Sequence, residues 1–269
     1  MTRNRVILGL GLLVVLAASV GGVWYGRERE RQASYEAGLT ALAEDRYADA
    51  LTLAGAYPDD PDHDHLAAQV YLSDDRAFRD AEKGLALQRA AAEAGQMRAA
   101  YFLARYLLDH DPDETQRQDA LRYLTEAAEC GMPAANLDLG VLFTFGENVE
   151  KDYRKARGFF EKAAMSGLLQ AQKGLTYVYG KTAQTMSDAD GRQFVVREMY
   201  VWAFVAANFG DAGLLSVLRE IEAEIKANED FGGKSTIESI QESATQRIER
   251  IKPSDRYACA SPNLNLDPI

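Results

Sequence analysis

The chain has 269 residues, 47% hydrophobic and 26% charged, which is enough apolar material for a full core or for several stacked repeats. Its formal net charge is −11 and its pI about 4.9, which argues against nucleic acid as a partner, because phosphate binding needs an excess of Lys and Arg. Scarce proline and alanine-rich stretches favour helix over strand, and the two cysteines, Cys130 and Cys259, form no CxxC or zinc spacing and are compatible with one disulfide or with two free thiols.

From Val6 to Tyr25 runs a stretch of 20 residues without a charge, whose helix would span about 30 Å, the thickness of a bilayer core. Arg3 and Arg5 precede it, Arg27, Arg29 and Arg31 follow, and Trp24 and Tyr25 stand where an aromatic belt would lie. The pattern predicts an uncleaved anchor within residues 1–31 and a single-pass membrane protein with its large domain on the periplasmic side of a bacterial inner membrane. A cleaved signal peptide is the rival reading, with Ser19-Val20-Gly21 as its site, but the apolar run continues past that point. Ala18, Gly22 and Gly26 form a small-residue ladder through which two anchors would pair as a homodimer.

Residues 32–75 read as a helix pair: Gly38 and Ala41, a turn at Glu44-Asp45-Arg46, then Ala50 and Ala54. The pair resembles a tetratricopeptide repeat and is expected to form the N-terminal end. Pro58 to Asp64 reads as a solvated acidic loop. Its carboxylates, with His63 and His65, have divalent-metal chemistry, but the glycine and closing glutamate of a calcium loop are missing, so no metal is assigned.

Residues 76–210 repeat. Ala91-Ala92-Glu93-Ala94-Gly95 recurs as Ala127-Ala128-Glu129-Cys130-Gly131, as Ala163-Ala164-Met165-Ser166-Gly167 and as Ala206-Ala207-Asn208-Phe209-Gly210. The glycines are 36, 36 and 43 residues apart. After the first three come Ala99, Leu103 and Leu107, then Ala135, Leu139 and Phe143, then Ala171, Leu175 and Tyr179, in steps of four that mark one face of a helix A. Eight residues before each glycine stand Leu87, Tyr123, Phe159 and Trp202, which with the alanine pair define a helix B. The glycine ends helix B in the left-handed conformation, and Pro133 falls in the first turn of a helix A. One pair cannot bury its apolar face, but stacked pairs can.

The best copy carries Ala135, Leu139, Gly140 and Phe143, then Gly146, Val149, Asp152, Lys155 and Ala156, then Phe159, Lys162, Ala163, Ala164 and Gly167. It resembles the Sel1-like repeat, A-x3-L-G-x3-Y-x2-G-x2-V-x2-D-x2-K-A followed by an aromatic and K-A-A-x2-G. The copy before it has Ala104 for the glycine of L-G, and Asp109 to Asp113 for the G-x2-V turn. The copy after has Thr176 at that glycine and a longer connection, Lys181 to Arg197. The resemblance implies an all-α fold, a right-handed α/α superhelical solenoid of Sel1-like and tetratricopeptide-like helix pairs, here preceded by one transmembrane helix. Residues 211–252 hold two helices, Leu214 to Ile225 and Thr236 to Lys252, expected to cap the stack; 253–269 read as a loose tail.

The resemblance implies protein binding, and no catalytic motif competes with it: HExxH, GxSxG, the P-loop and SxxK are all absent. Some Sel1-like proteins have carried a β-lactamase label, but without SxxK this chain has no serine mechanism of that kind. Ser187 to Gly191 reads as a turn entering a helix, and His110 as a helix-end residue. The helix A positions off the alanine–leucine stripe, Tyr101 and Arg105, Leu137 and Val141, Lys173 and Tyr177, are the expected partner-binding face. The reading is an anchored adaptor or scaffold of the cell envelope with a protein partner, no cofactor, no metal and no catalytic residue. The alternative is a cell-wall hydrolase or glycan-binding protein, which would need carboxylates and histidines converging in one cleft.

Overall fold

A computed structural model describes residues 25–227 and 233–253, with the side chains of 233–235 left aside. The described residues form α-helices and no strand. In chain order these are α1 (residues 25–43), α2 (Tyr47–Ala54), α3 (Pro61–Tyr71), α4 (Ala81–Glu93), α5 (Met97–Asp109), α6 (Glu114–Glu129), α7 (Pro133–Phe145), α8 (Tyr153–Met165), α9 (Leu169–Thr185), α10 (Ala189–Asn208), α11 (Leu214–Ala227) and α12 (Gly233–Arg250). They belong to two compact units, one running through Leu103 and the other starting at Ala104.

In the first unit, α1 turns into α2 at Asp45, whose φ of 57° is a left-handed conformation that Asp tolerates better than most residues. Tyr35, Ala41, Ala50, Ala54, Leu66 and Val70 form its core, and Gly38 leaves the space that the Leu66 side chain fills. The acidic stretch before α3 is no solvated loop. Pro61 begins the helix, Asp60 caps it by accepting from the His63 N–H, and Asp62, His63 and His65 are buried.

The repeat turns share one hydrogen-bond scheme. In the second unit, Gly131 N–H donates to Ala128 O and Met132 N–H to Ala127 O. Gly167 and Leu168 do the same to Ala164 and Ala163, and Gly210 and Asp211 to Ala207 and Ala206. In the first unit, Gly95 and Gln96 use Ala92 and Ala91. This is the Schellman closure, and it needs a left-handed residue, supplied by glycines with φ between 84° and 113°. The paired alanines therefore offer close-packing side chains and the carbonyls that end their helix.

Within the second unit each helix from α6 to α10 packs on its sequence neighbours, giving an α-solenoid. Asp113, Asp152 and Asp188 cap α6, α8 and α10. The stretch Lys181 to Arg197 is helical extension of α9 and α10 around a short break, rather than a long connection. α11 and α12 lie on α10, burying Leu218, Ile221, Ile225, Ile237, Ile240, Ala244 and Ile251 with Trp202. Tyr200 fastens both, donating to Glu222 Oε1 (2.7 Å) and accepting from Gln241 Nε2 (2.9 Å). Arg247 pairs with Glu198 (2.6 Å) and lies over the Trp202 ring.

The buried Phe160 ring of α8 sits between two glycines. A β-carbon on Gly140 of α7 would come within 2.5 Å of the ring, and one on Gly174 of α9 within 2.7 Å. The flanking copies compensate in size: where helix B carries Leu124, helix A carries Ala104, and where helix B carries Ala203, helix A carries Thr176.

Membrane anchoring is corrected. No helix of the described residues is long and apolar enough to cross a membrane, so single-pass localisation with a periplasmic domain is not sustained. Residues 6–24, including the Ala18 and Gly22 of the expected dimer ladder, lie outside the described residues. Tyr25 and Gly26 continue into charged α1, and Arg31, expected to flank a span, is bound into the first unit by Asp60 and Asp62 at 2.7 and 2.9 Å.

The glycine seat generates a direct test. Gly140→Ala is expected to cost about 1–3 kcal/mol in urea unfolding through overpacking. Phe160→Leu in the same chain should recover part of that loss, making the double variant more stable than the two single losses imply. Strictly additive losses would show that the ring and the methyl do not compete for the same space.

Candidate functional site

The expected partner-binding residues fall into three environments. Leu137 and Val141 of α7 are half-buried and packed on the core cluster, so they belong partly to the fold. Four residues further along α7 stands Phe145, 54% exposed, its ring 6.0 Å from that of Tyr177 on α9, itself 44% exposed. Lys181, one turn beyond Tyr177, lies over the Tyr177 ring with Nζ 5.5 Å from its centre. α7 therefore presents an apolar stripe of Leu137, Val141 and Phe145, and α9 offers Lys173, Tyr177 and Lys181 at the corresponding repeat positions.

The charged members are held by acidic neighbours. Arg105 lies 3.6 Å from Asp138 and 4.0 Å from Asp109. Lys173 pairs with Asp211 at 2.7 Å, and that hydrogen bond holds the Asp211 carboxyl below its ordinary range. Partly exposed ion pairs of this kind are weak, so a partner can exchange them for its own charges at little cost. Tyr101 stands in the first unit, half-buried, its ring edge-on to Phe102 at 5.8 Å; Phe102 is exposed and also meets the His65 ring. Phe145 and Lys181 were readable from the sequence as the next steps of four after Val141 and Tyr177.

A second constellation lies in the first unit. Arg31 binds Glu28, Asp60 and Asp62; Asp62 also accepts from Gln96 Nε2 at 3.0 Å, and Asp60 Oδ1 meets His63 Nδ1 at 2.6 Å. The His63 ring lies near Tyr35 and Tyr57, with its Nε2 buried and without a hydrogen-bond partner among the described residues. His65 meets the amides of Gln88 and Gln69. Carboxylates and histidines thus converge, but Asp62, His63 and His65 are 5%, 1% and 0% exposed, buried inside the unit rather than lining an open cleft. No group of three His, Cys, Asp or Glu among the described residues is arranged to hold a metal. His110 stacks on Tyr106, its Nδ1 2.8 Å from the Tyr106 carbonyl oxygen at the end of α5.

Burial pushes the His65 pKa down to about 4, against the opposing effect of the Gln88 hydrogen bond. Asp60 is also disfavoured as an anion by burial, but the hydrogen bonds from His63 and the charge of Arg31 outweigh this and leave its pKa low. Between roughly pH 6.5 and pH 4, the unfolded chain takes up a proton at His65 that the folded chain refuses. Stability therefore falls as pH drops through that window, by about 3 kcal/mol at most, whereas Asp60 contributes its loss only at still lower pH. Urea unfolding at pH 7 and pH 4.5 should show this drop, and His65→Gln should remove most of it. An equal drop in the variant would assign the acid sensitivity elsewhere.

Comparison with known proteins agrees with the geometry of the repeats. A model of the Sel1 repeat matches residues 98–132 and 133–168. No curated protein matches the chain. Among solved structures, the protective antigen c5321 of uropathogenic Escherichia coli, which displays an SLR fold, superposes with a TM-score of 0.63 at 19% identity, over 89% of this chain and 49% of its own. A Sel1 repeat protein from Oxalobacter formigenes superposes with a TM-score of 0.56 at 18% identity, over 80% of this chain and 84% of its own. The chain thus spans about half the length of the first of these, and at such identities the likeness is one of fold. Residues 98–168 thus match the Sel1 repeat, in a chain whose helical fold is like that of the Sel1-like repeat proteins it superposes on.

Proposed function

We propose that this chain is a non-catalytic scaffold that holds a protein partner on the helix A face of its second unit, centred on Phe145 and Tyr177. Sel1 repeats generally mediate protein–protein contact, and the single observation that carries the reading here is the exposed aromatic pair on the face built by the repeats. Large exposed apolar residues that touch one another are the usual mark of a contact surface, and aromatic side chains dominate the energetics of such surfaces. Leu137 and Val141 extend the patch along α7, and Lys181 lays a cation over the Tyr177 ring. The opposite layer differs: the outward residues of α6, Asp119, Arg122 and Glu126, pair with one another.

The test uses the full chain in the cells that make it. A photo-crosslinking residue at position 145 is expected to capture one protein, whereas the same residue at position 122 on α6 captures none. Tyr177→Asp should reduce capture at 145 about tenfold or more with an unchanged melting temperature. Equal capture from both positions, or capture insensitive to Tyr177→Asp, overturns the assignment of this face.

A further inference from the structure

We propose that the outward face of α8 is a further docking surface, which receives an acidic α-helix of a protein partner through Lys155 and Lys162. This face is separate from the helix A face and does not depend on it. Helix α8 carries Arg154, Lys155, Arg157 and Lys162 against one acid, Glu161, in a chain whose net charge is −11. Glu161 faces α9, where it accepts from the Tyr179 hydroxyl at 3.1 Å and lies 3.8 Å from Arg157. Asp152, at the start of the helix, is occupied by the backbone N–H groups of Arg154 and Lys155. Lys155 and Lys162 are exposed, and among the described residues neither forms an ion pair.

Both lysines are supported by aromatic rings. Phe143 and Phe159 stack with their centres 5.7 Å apart and their planes 7° from parallel. Lys155 Nζ lies 5.1 Å from the centre of the Phe143 ring, and Lys162 Nζ 5.8 Å from that of Phe159. A ring against the side chain limits the freedom that each lysine loses on pairing. Seven residues of helix separate the two, about 10 Å along the axis, and carboxylates seven residues apart on another helix have the same spacing.

The preceding repeat carries a closed version of this row. Asp119, Arg122 and Glu126 of α6 stand 36 residues before Lys155, Gly158 and Lys162. In α6 the central cation serves both acids, at 3.6 and 3.1 Å. In α8 the outer charges are reversed and the central residue has no side chain, so the row does not close on itself. Gly158 also has no role in packing: a β-carbon there would meet nothing within 4 Å, whereas those on Gly140 and Gly174 would strike Phe160. Glycine in an exposed helix interior is less stable than alanine, but bare backbone between two lysines lets a second helix come close enough for its carboxylates to reach both. The overall negative charge of the chain repels an extended polyanion, while a helix with two carboxylates meets chiefly the local row within a screening length.

The experiment uses the full chain and a fluorescein-labelled, alanine-based helical peptide of about 18 residues, with two glutamates seven apart and a leucine between them. Fluorescence anisotropy at low salt should show saturable binding. Lys155→Glu, Lys162→Glu, or glutamine in place of both peptide glutamates should each weaken it about tenfold or more. Gly158→Leu should weaken it similarly while leaving the melting temperature unchanged or higher, because leucine favours helix. The variant carrying both lysine reversals should instead bind the peptide with lysines at the two glutamate positions. Tyr177→Asp should change nothing, so failure of the helix A face and failure of this one are told apart. No binding, equal binding of the glutamine peptide, equal competition by a DNA duplex, or indifference to the lysine reversals would each overturn the proposal. Self-association of the chain that disappears in Lys155→Glu would overturn it in favour of a second copy as the occupant.

Discussion

The seating of one aromatic ring between two backbones organises the second unit. Phe160 belongs to α8, but the space it fills is provided by Gly140 in the helix before it and Gly174 in the helix after it. A ring of that size stabilises by about 2–3 kcal/mol when buried, provided that neither neighbour carries a side chain there. The same residue thus joins a helix B to its own helix A and to the next, and the stack propagates through it. The copies on either side use smaller helix B residues with correspondingly larger helix A residues, so they are similar in outline and different in fit. A helix pair of this protein is matched to itself, and exchanging helices between copies would produce either a hole or a clash.

The turns impose a second constraint. Each glycine directs its own N–H and the next one back to the alanine pair, which fixes where the following helix A begins. Because that start is repeated, residues at the same step in α7 and α9 fall on the same side, and the Phe145–Tyr177 contact is the visible result. The proposed binding face follows from repeat geometry, with the side chains left open by that geometry deciding what it can hold.

Most of the repeat was legible because its signals are local. The alanine pairs, the glycines and the steps of four each follow from backbone chemistry, and α5 through α10 lie where those signals put them. The long connection from Lys181 was misread because no regular motif labels a helix that simply continues past its usual end. The Pro58 to Asp64 stretch, whose larger part is the start of α3, was misread for a different reason. Its composition is that of a solvated loop, and its burial rests on partners the local sequence does not announce, among them Arg31, about 30 residues earlier, and Gln96, about 30 residues later. Long-range charge pairing leaves no periodic trace. Leu137 and Val141 were correctly placed on helix A, but the sequence could not divide their surface between core and partner.

The charge cluster of the first unit also governs where the chain can be cut. Arg31 lies on the first described helix, before the segment that composition would mark as the start of a folded region, and it is the cation shared by Asp60 and Asp62. A fragment beginning at residue 32 would keep every apolar residue of that unit's core yet leave two carboxylates at the start of α3 without their common counter-ion. The practical limit of the folded unit is therefore electrostatic, and it falls upstream of the limit drawn by hydrophobic burial alone.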